Sequence, residues 1–113
     1  MTPAVYASDI KVPTLWSAAG AAGLSVGNVH WPVSVGADGI AWNLAQIWRT
    51  GHADDAKLVA ALSTTGLIPE LEADTGLVYA QGIDEGIEGD ENRGTFALSL
   101  IRRHKPDFLT VYF

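Results

Sequence analysis

The chain has 113 residues, 48% hydrophobic and 18% charged, a composition that suits one small packed domain and excludes a disordered segment. Seven Lys and Arg against thirteen Asp and Glu leave a formal charge of −6 with no basic stripe, which argues against a nucleic-acid backbone or an anionic membrane surface as partner. The absence of cysteine excludes disulfides and thiolate metal sites, no apolar run reaches the roughly 18 residues of a membrane span, and the first residues lack the basic-then-apolar order of a signal peptide.

Met1 to Val12 reads as an extended opening segment. Pro13 suits a first helical position, and Leu15, Ala18, Ala19 and Ala22 fall at the spacing of one buried helix face, with Gly23 as the stop. Leu24 to Trp31 reads as a strand anchored by Val26 and Val29, with Gly27 permitting close backbone approach and Trp31-Pro32 ending it. Val33 to Gly39 is a glycine-containing loop on the carboxyl end of that strand. Ile40 to Thr50, with Trp42, Leu44, Ile47 and Trp48, reads as one or two helical turns.

Asp54 or Asp55 is placed to cap a helix whose inner face is Leu58, Ala61, Leu62 and Thr65; Gly66 ends it and Pro69 bars continuation. Glu70 to Asp90, acidic and glycine-rich, reads as a surface connection with a short strand at Leu77 to Ala80. Asp90 or Asn92 opens a last helix with an inner face of Phe96, Ala97, Leu100 and Ile101, and Arg102, Arg103 and His104 sit where cations favour the helix dipole. After Pro106, the run KPDFLTVYF (Lys105 to Phe113) has the composition of a central parallel strand buried on both faces. The alternation implies an α/β fold with a mainly parallel sheet flanked by helices. Two or three strands are few for such a sheet, so the chain is expected to be a partial domain, aggregation-prone in isolation, with its chemistry past the carboxyl end of the terminal strand.

Nucleophile-elbow, P-loop, dinucleotide and zinc-protease motifs are absent from the sequence. His30, His52 and His104 stand at no metal-ligand spacing, and His52 with Asp54 and Asp55 reads as a loop and helix cap. Asp84, Glu85, Glu88, Asp90 and Glu91 lack the order of a calcium loop and read as a solvated surface. Trp31, Trp42, Trp48 and Tyr112 are candidates for core packing or for stacking on a nucleobase, Tyr112 being the best placed.

VPTLWSAAGAAGL (Val12 to Leu24), VHWPVSVGADGIAWN (Val29 to Asn43), DDAKLVAALSTTGL (Asp54 to Leu67) and RHKPDFLTVYF (Arg103 to Phe113) together resemble the central segment of the type I phosphodiesterase/nucleotide pyrophosphatase branch of the alkaline phosphatase superfamily. The resemblance implies an alkaline-phosphatase-like α/β sandwich. It also implies hydrolysis of phosphodiester or pyrophosphate bonds in a nucleotide or similar small molecule, with two divalent metal ions, usually zinc, activating a Thr nucleophile. In that family the Thr and first Asp precede the segment and an Asp-His-x-x-x-His stretch follows it, so no catalytic or metal residue is assigned here. Tyr112 and Trp48 carry over as substrate-binding positions. The resemblance thus makes residues 1–113 a fragment, inactive alone. The alternative is a standalone, non-catalytic binding or interaction module on the same scaffold.

Overall fold

Val26–Val29 (β1) is the strand on which the structure is assembled, and all four of its residues are buried. The computed structural model describes residues 6–47, 53–82 and 87–113. Among these, a 3-10 turn at Ala7–Asp9 and a helix at Leu15–Ala21 (α1) precede β1, and Trp42–Leu44 (β2) follows it. Helices at Asp55–Leu62 (α2) and Leu67–Thr75 (α3), a 3-10 turn at Tyr79–Gly82, a helix at Ile87–His104 (α4) and a strand at Phe108–Val111 (β3) complete the order. The sheet order is β2-β1-β3 with both pairings parallel, which makes this an α/β fold built on a small parallel sheet.

Side chains alternate across a strand, so β1 divides its residues between two surroundings. Gly27 and Val29 share the α4 side, where α4 comes so close that a Cβ on Gly27 would meet Leu100 and Leu109 at 3.0 Å and Pro106 at 3.4 Å. Val29, Leu44, Leu71, Tyr79, Phe96 and Leu100 belong to the same buried apolar cluster. Asn28 points the other way and lies in register with Asn43 on β2 and Thr110 on β3. All three are buried.

Several sequence expectations change. The pattern of Ile40 to Thr50 predicts helical turns, but Trp42–Leu44 is a strand. Parallel pairing with β1 and the polar match between Asn43 and Asn28 outweigh a local preference that three residues cannot express alone. Residues 48–52, with Trp48 and His52, lie outside the described residues. α2 does not continue through Pro69, since it ends at Leu62, but a separate helix begins there: Gly66 is its N-cap and Pro69 sits in the first turn of α3, where a missing N–H costs nothing. The expected surface connection is therefore largely helix, and a 3-10 turn replaces the expected strand, burying Tyr79.

The helix faces are also rotated. α1 is capped by Thr14 in a reciprocal capping box with Ser17, and it buries Trp16 while Leu15 is exposed. α2 buries Asp55 and Val59, not Leu58. α4 begins at Ile87, and Ile101 is exposed while Arg93 and Ser99 are buried. Finally, the central strand is β1. The terminal strand β3 flanks it, and of its four residues only Thr110 is fully buried.

The two outer edges differ. On β2, Asn43 N donates to Thr64 Oγ1 at 2.8 Å, Ala45 N to Ser63 Oγ at 3.0 Å, and Thr64 N returns a bond to Asn43 O at 2.9 Å. The segment after α2 therefore covers that edge. Among the described residues β3 pairs with β1 alone.

Gly27 is where the α4 packing is tightest. Gly27→Val should lower stability by about 1–3 kcal/mol through overpacking against Leu100 and Leu109. Urea unfolding checks this, and a midpoint unchanged from the parent would show that α4 stands off the sheet.

Candidate functional site

In a parallel sheet ligands bind beyond the carboxyl ends of the strands, here the region after Val29, Leu44 and Val111. The chain leaves β1 through an unusual backbone: His30 and Val33 adopt φ of 65° and 58°, left-handed values that cost a non-glycine residue about 1–2 kcal/mol and are rare for a β-branched one. Such a bend persists only where its surroundings hold it. His30 N donates to Leu44 O at 2.9 Å, and Trp31 N donates to Asn28 Oδ1 at 3.2 Å.

Asn28 is the anchor. Its Nδ2 donates to Asn43 Oδ1 at 2.7 Å and to Ser34 Oγ at 3.1 Å, and its Oδ1 also accepts from Thr110 Oγ1 at 2.8 Å. Both donors and both acceptor directions of the amide are used, the full capacity of the group. Asn43 Nδ2 adds a bond to Ser34 O at 2.8 Å. One side chain thus joins three strands and both ends of the bend that carries Trp31.

The bend presents aromatic surface. Trp31 meets Tyr112 edge to face, with ring centroids 5.9 Å apart and planes at 83°, and the His30 ring lies 6.4 Å from Tyr112 with planes at 39°. Tyr112 N donates to Val29 O at 3.0 Å, which fixes the residue at the end of β3. Tyr112 is 47% exposed and Trp31 38%, so the pair is offered to solvent. The expectation that Tyr112 stands at the carboxyl edge agrees with its position. Trp42 is not there: it stacks on His104 at 4.9 Å at the start of β2, and His104 hydrogen-bonds Glu70.

A partly charged layer lies close to His30. Burial pushes the His30 imidazole down to about 4, the Arg93 guanidinium adds to the shift, and Asp90 opposes it, so His30 is neutral at physiological pH. Arg93 is buried and pairs with Asp90 at 2.5 Å. Burial likewise pushes the Tyr79 hydroxyl up, against the pull of Arg93; Tyr79 rests edge to face on Phe96, 4.9 Å away. A separate cleft of about 240 Å³ between the first 3-10 turn and α1, lined by Ile10, Thr14, Trp16 and Asp38 among others, shares no residue with this layer.

Neutral imidazole, phenol and indole groups can stack on a planar ligand and hydrogen-bond its edges. The described residues do not by themselves fit a two-metal centre. Among the described residues no three His, Asp or Glu side chains converge as a metal-binding group, and the guanidinium beside His30 opposes a second cation there. No catalytic step is therefore assigned to a metal in this chain. Comparison with protein-family models, with curated proteins and with solved structures finds no match to the chain.

Arg93, Tyr79 and the Asn28 network were not found from the sequence. Asn43 and Asn28 each interrupt an apolar stretch, and a buried amide in a strand needs a partner on its neighbour; that pairing was the available signal.

Two outcomes follow. Asn28→Leu keeps the approximate volume but removes the bonds made to Ser34 Oγ, Asn43 Oδ1, Thr110 Oγ1 and the Trp31 N–H, and should cost on the order of 2–4 kcal/mol in urea unfolding; a loss below about 0.5 kcal/mol would show that the network is dispensable. His30, with its folded value below its unfolded 6.5, binds fewer protons folded than unfolded between about pH 4 and 6.5. Stability should therefore fall as pH drops through that window and be flat above it, by about 1–2 kcal/mol after allowance for partial exposure. His30→Gln should remove that slope while leaving any acid destabilisation at lower pH from Glu70 and Asp74, whose carboxyls their partners hold below the usual range.

Proposed function

We propose that this chain forms the pocket-bearing part of a metal-dependent hydrolase of phosphodiester or pyrophosphate bonds, on an alkaline-phosphatase-like α/β sandwich, with a nucleotide or similar phosphodiester as substrate. The observation that carries the reading is the solvent-facing Trp31–Tyr112 pair at the carboxyl edge of a parallel sheet. The sequence resemblance supports it at the same residue, Tyr112. In this reading the nucleophile and the ligands of two divalent ions, zinc for preference, are supplied by residues other than these 113. When bound, such ions activate the nucleophile and stabilise the departing oxygen.

The chain's own residues bind and orient. The Tyr112 ring offers a face to a nucleobase, and Trp31 sets its angle from the edge. His30, held neutral, leaves the stacking surface uncharged, so the base is taken up without displacing an ion pair. The Asn28 network fixes the bend so that little ordering remains when the ligand arrives. Trp48, outside the described residues, is the second position the resemblance offers for stacking.

Titration with adenosine 5′-monophosphate, followed by tryptophan fluorescence and amide chemical shifts, tests this. The Trp31 indole and the Tyr112 amide should shift together, and Tyr112→Ala should weaken binding about 10-fold or more, the usual worth of one base-aromatic stack. Shifts confined to other parts of the chain, or none at millimolar nucleotide, would remove the proposed pocket. Zinc-dependent turnover of bis(4-nitrophenyl) phosphate by the 113 residues alone would overturn the assignment of the nucleophile and metal ligands to other residues.

A further inference from the structure

Asp38 is the one aspartate in the sequence that is followed by glycine, and no asparagine is. An aspartate before a glycine is the pair in which a backbone amide most readily attacks the side-chain carboxyl, because glycine has no Cβ to block the approach. The structure leaves both reacting groups accessible. Asp38 and Gly39 are exposed in a turn, the Asp38 carboxylate makes no hydrogen bond or ion pair among the described residues, and Gly39 N donates to no backbone carbonyl there. Other aspartates are held or hindered. Ser25 holds Asp107, Ser99 and Arg102 hold Asp74, and Arg93 holds Asp90, while Asp9 precedes the β-branched Ile10.

The turn leads into β2 at the amino end of the sheet, since Ala41 N donates to Val26 O at 2.9 Å. Trp31 and Tyr112 stand at the opposite end. The turn also lies against α1. A Cβ on Gly20 would meet Gly39 Cα at 3.2 Å and Gly39 O at 3.3 Å, and a Cβ on Gly39 would come within 3.5 Å of Trp16 O. Helix and turn therefore approach here through bare backbone, with no side chain between them to absorb a shift.

We propose that Asp38 is a site of spontaneous conversion to isoaspartate, and that the product loosens the packing of the turn on α1. Gly39 N bonds to Asp38 Cγ, and one carboxylate oxygen leaves as water with the Gly39 amide proton and a proton from solvent, closing a five-membered imide. Water then opens the ring. Cleavage between the Gly39 nitrogen and the Asp38 main-chain carbonyl carbon leaves the chain running through Cβ and Cγ, turns that carbonyl into a carboxylate and returns a proton to solvent. Cleavage at Cγ restores aspartate. No oxidant, reductant or cofactor takes part, and composition and charge are unchanged. The backbone gains one atom between Asp38 Cα and the Gly39 nitrogen, beside the contact with Gly20, so either the turn or α1 must move. The inference goes beyond the nucleotide reading and does not depend on it.

The test incubates the folded 113-residue chain at neutral pH and body temperature beside a synthetic peptide of residues 33–42, which serves as an unrestrained clock. Isoaspartate is counted by enzymatic methyl transfer to its carboxylate from S-adenosylmethionine and is located by electron-transfer fragmentation. The folded chain should convert at residue 38 within about 10-fold of the peptide's rate, as an exposed turn with few bonds to hold it allows. Asp38→Glu, which can close only a six-membered ring, should abolish the conversion while keeping the parent's circular dichroism. The isomerised chain, separated by chromatography, should unfold at lower urea than the parent. Its amide shifts should move at Gly20 and Ala41, and those of Trp31 and Tyr112 should stay. Conversion of the folded chain slower than that 10-fold limit, or faster at another aspartate, would overturn the proposal. An isomerised chain with the parent's urea midpoint and an unmoved Gly20 amide would overturn it equally.

Discussion

The register of the sheet rests on one buried amide. Asn28 is fully enclosed, and its two N–H groups and its carbonyl are all matched. A slip of β2 or β3 by one residue would exchange the two faces of that strand, bringing Leu44 or Val111 opposite Asn28 and leaving the amide without partners. An unpaired buried amide costs far more than a mispaired methyl group. The network therefore specifies a single alignment where Val and Leu contacts alone would tolerate several.

That alignment reaches the carboxyl edge through short covalent distances. Asn28 is two residues from His30 and three from Trp31, and it holds the Trp31 N–H directly. The left-handed backbone at His30 and Val33 is tolerated because Ser34, on the far side of the bend, is fixed by both Asn28 and Asn43. Polar pairing inside the sheet is thus what holds an aromatic surface outside it. The apolar side of the sheet supplies most of the burial through Leu44, Leu71, Phe96 and Leu100, but it does not determine where Trp31 points.

Those parts of the chain whose local pattern agrees with their surroundings were legible in the sequence. β1 has β-branched residues, a glycine and a terminating Trp-Pro; α4 has Phe96, Ala97 and Leu100 on one face and cations at its end. β2 was not legible, because three residues between a glycine loop and more apolar residues carry no period. α3 was hidden by Pro69, which signals a break only away from a helix start. For the terminal run, composition gave the strand but not its place in the sheet. Phe108 to Val111 is β-branched and aromatic enough for a centre, yet it flanks β1. The site was only half legible: Tyr112 is apparent at a strand end, but Arg93 stands off the inner face expected for the last helix and Tyr79 falls in a stretch that reads as a surface connection, and only the fold brings Arg93 close to both His30 and Tyr79.

The strand that carries Tyr112 is also the one that pairs with β1 alone among the described residues, and this joins two features that otherwise look separate. Tyr112 is fixed from one side by its bond to Val29 O, while the outward groups of Leu109 and Val111 meet no strand among the described residues. Whatever orders that backbone also limits the positions the Tyr112 ring can take against Trp31. Ordering done in advance is ordering that a ligand does not have to supply. The order of the strand and the geometry of the aromatic pair are therefore linked through the backbone of the same four residues.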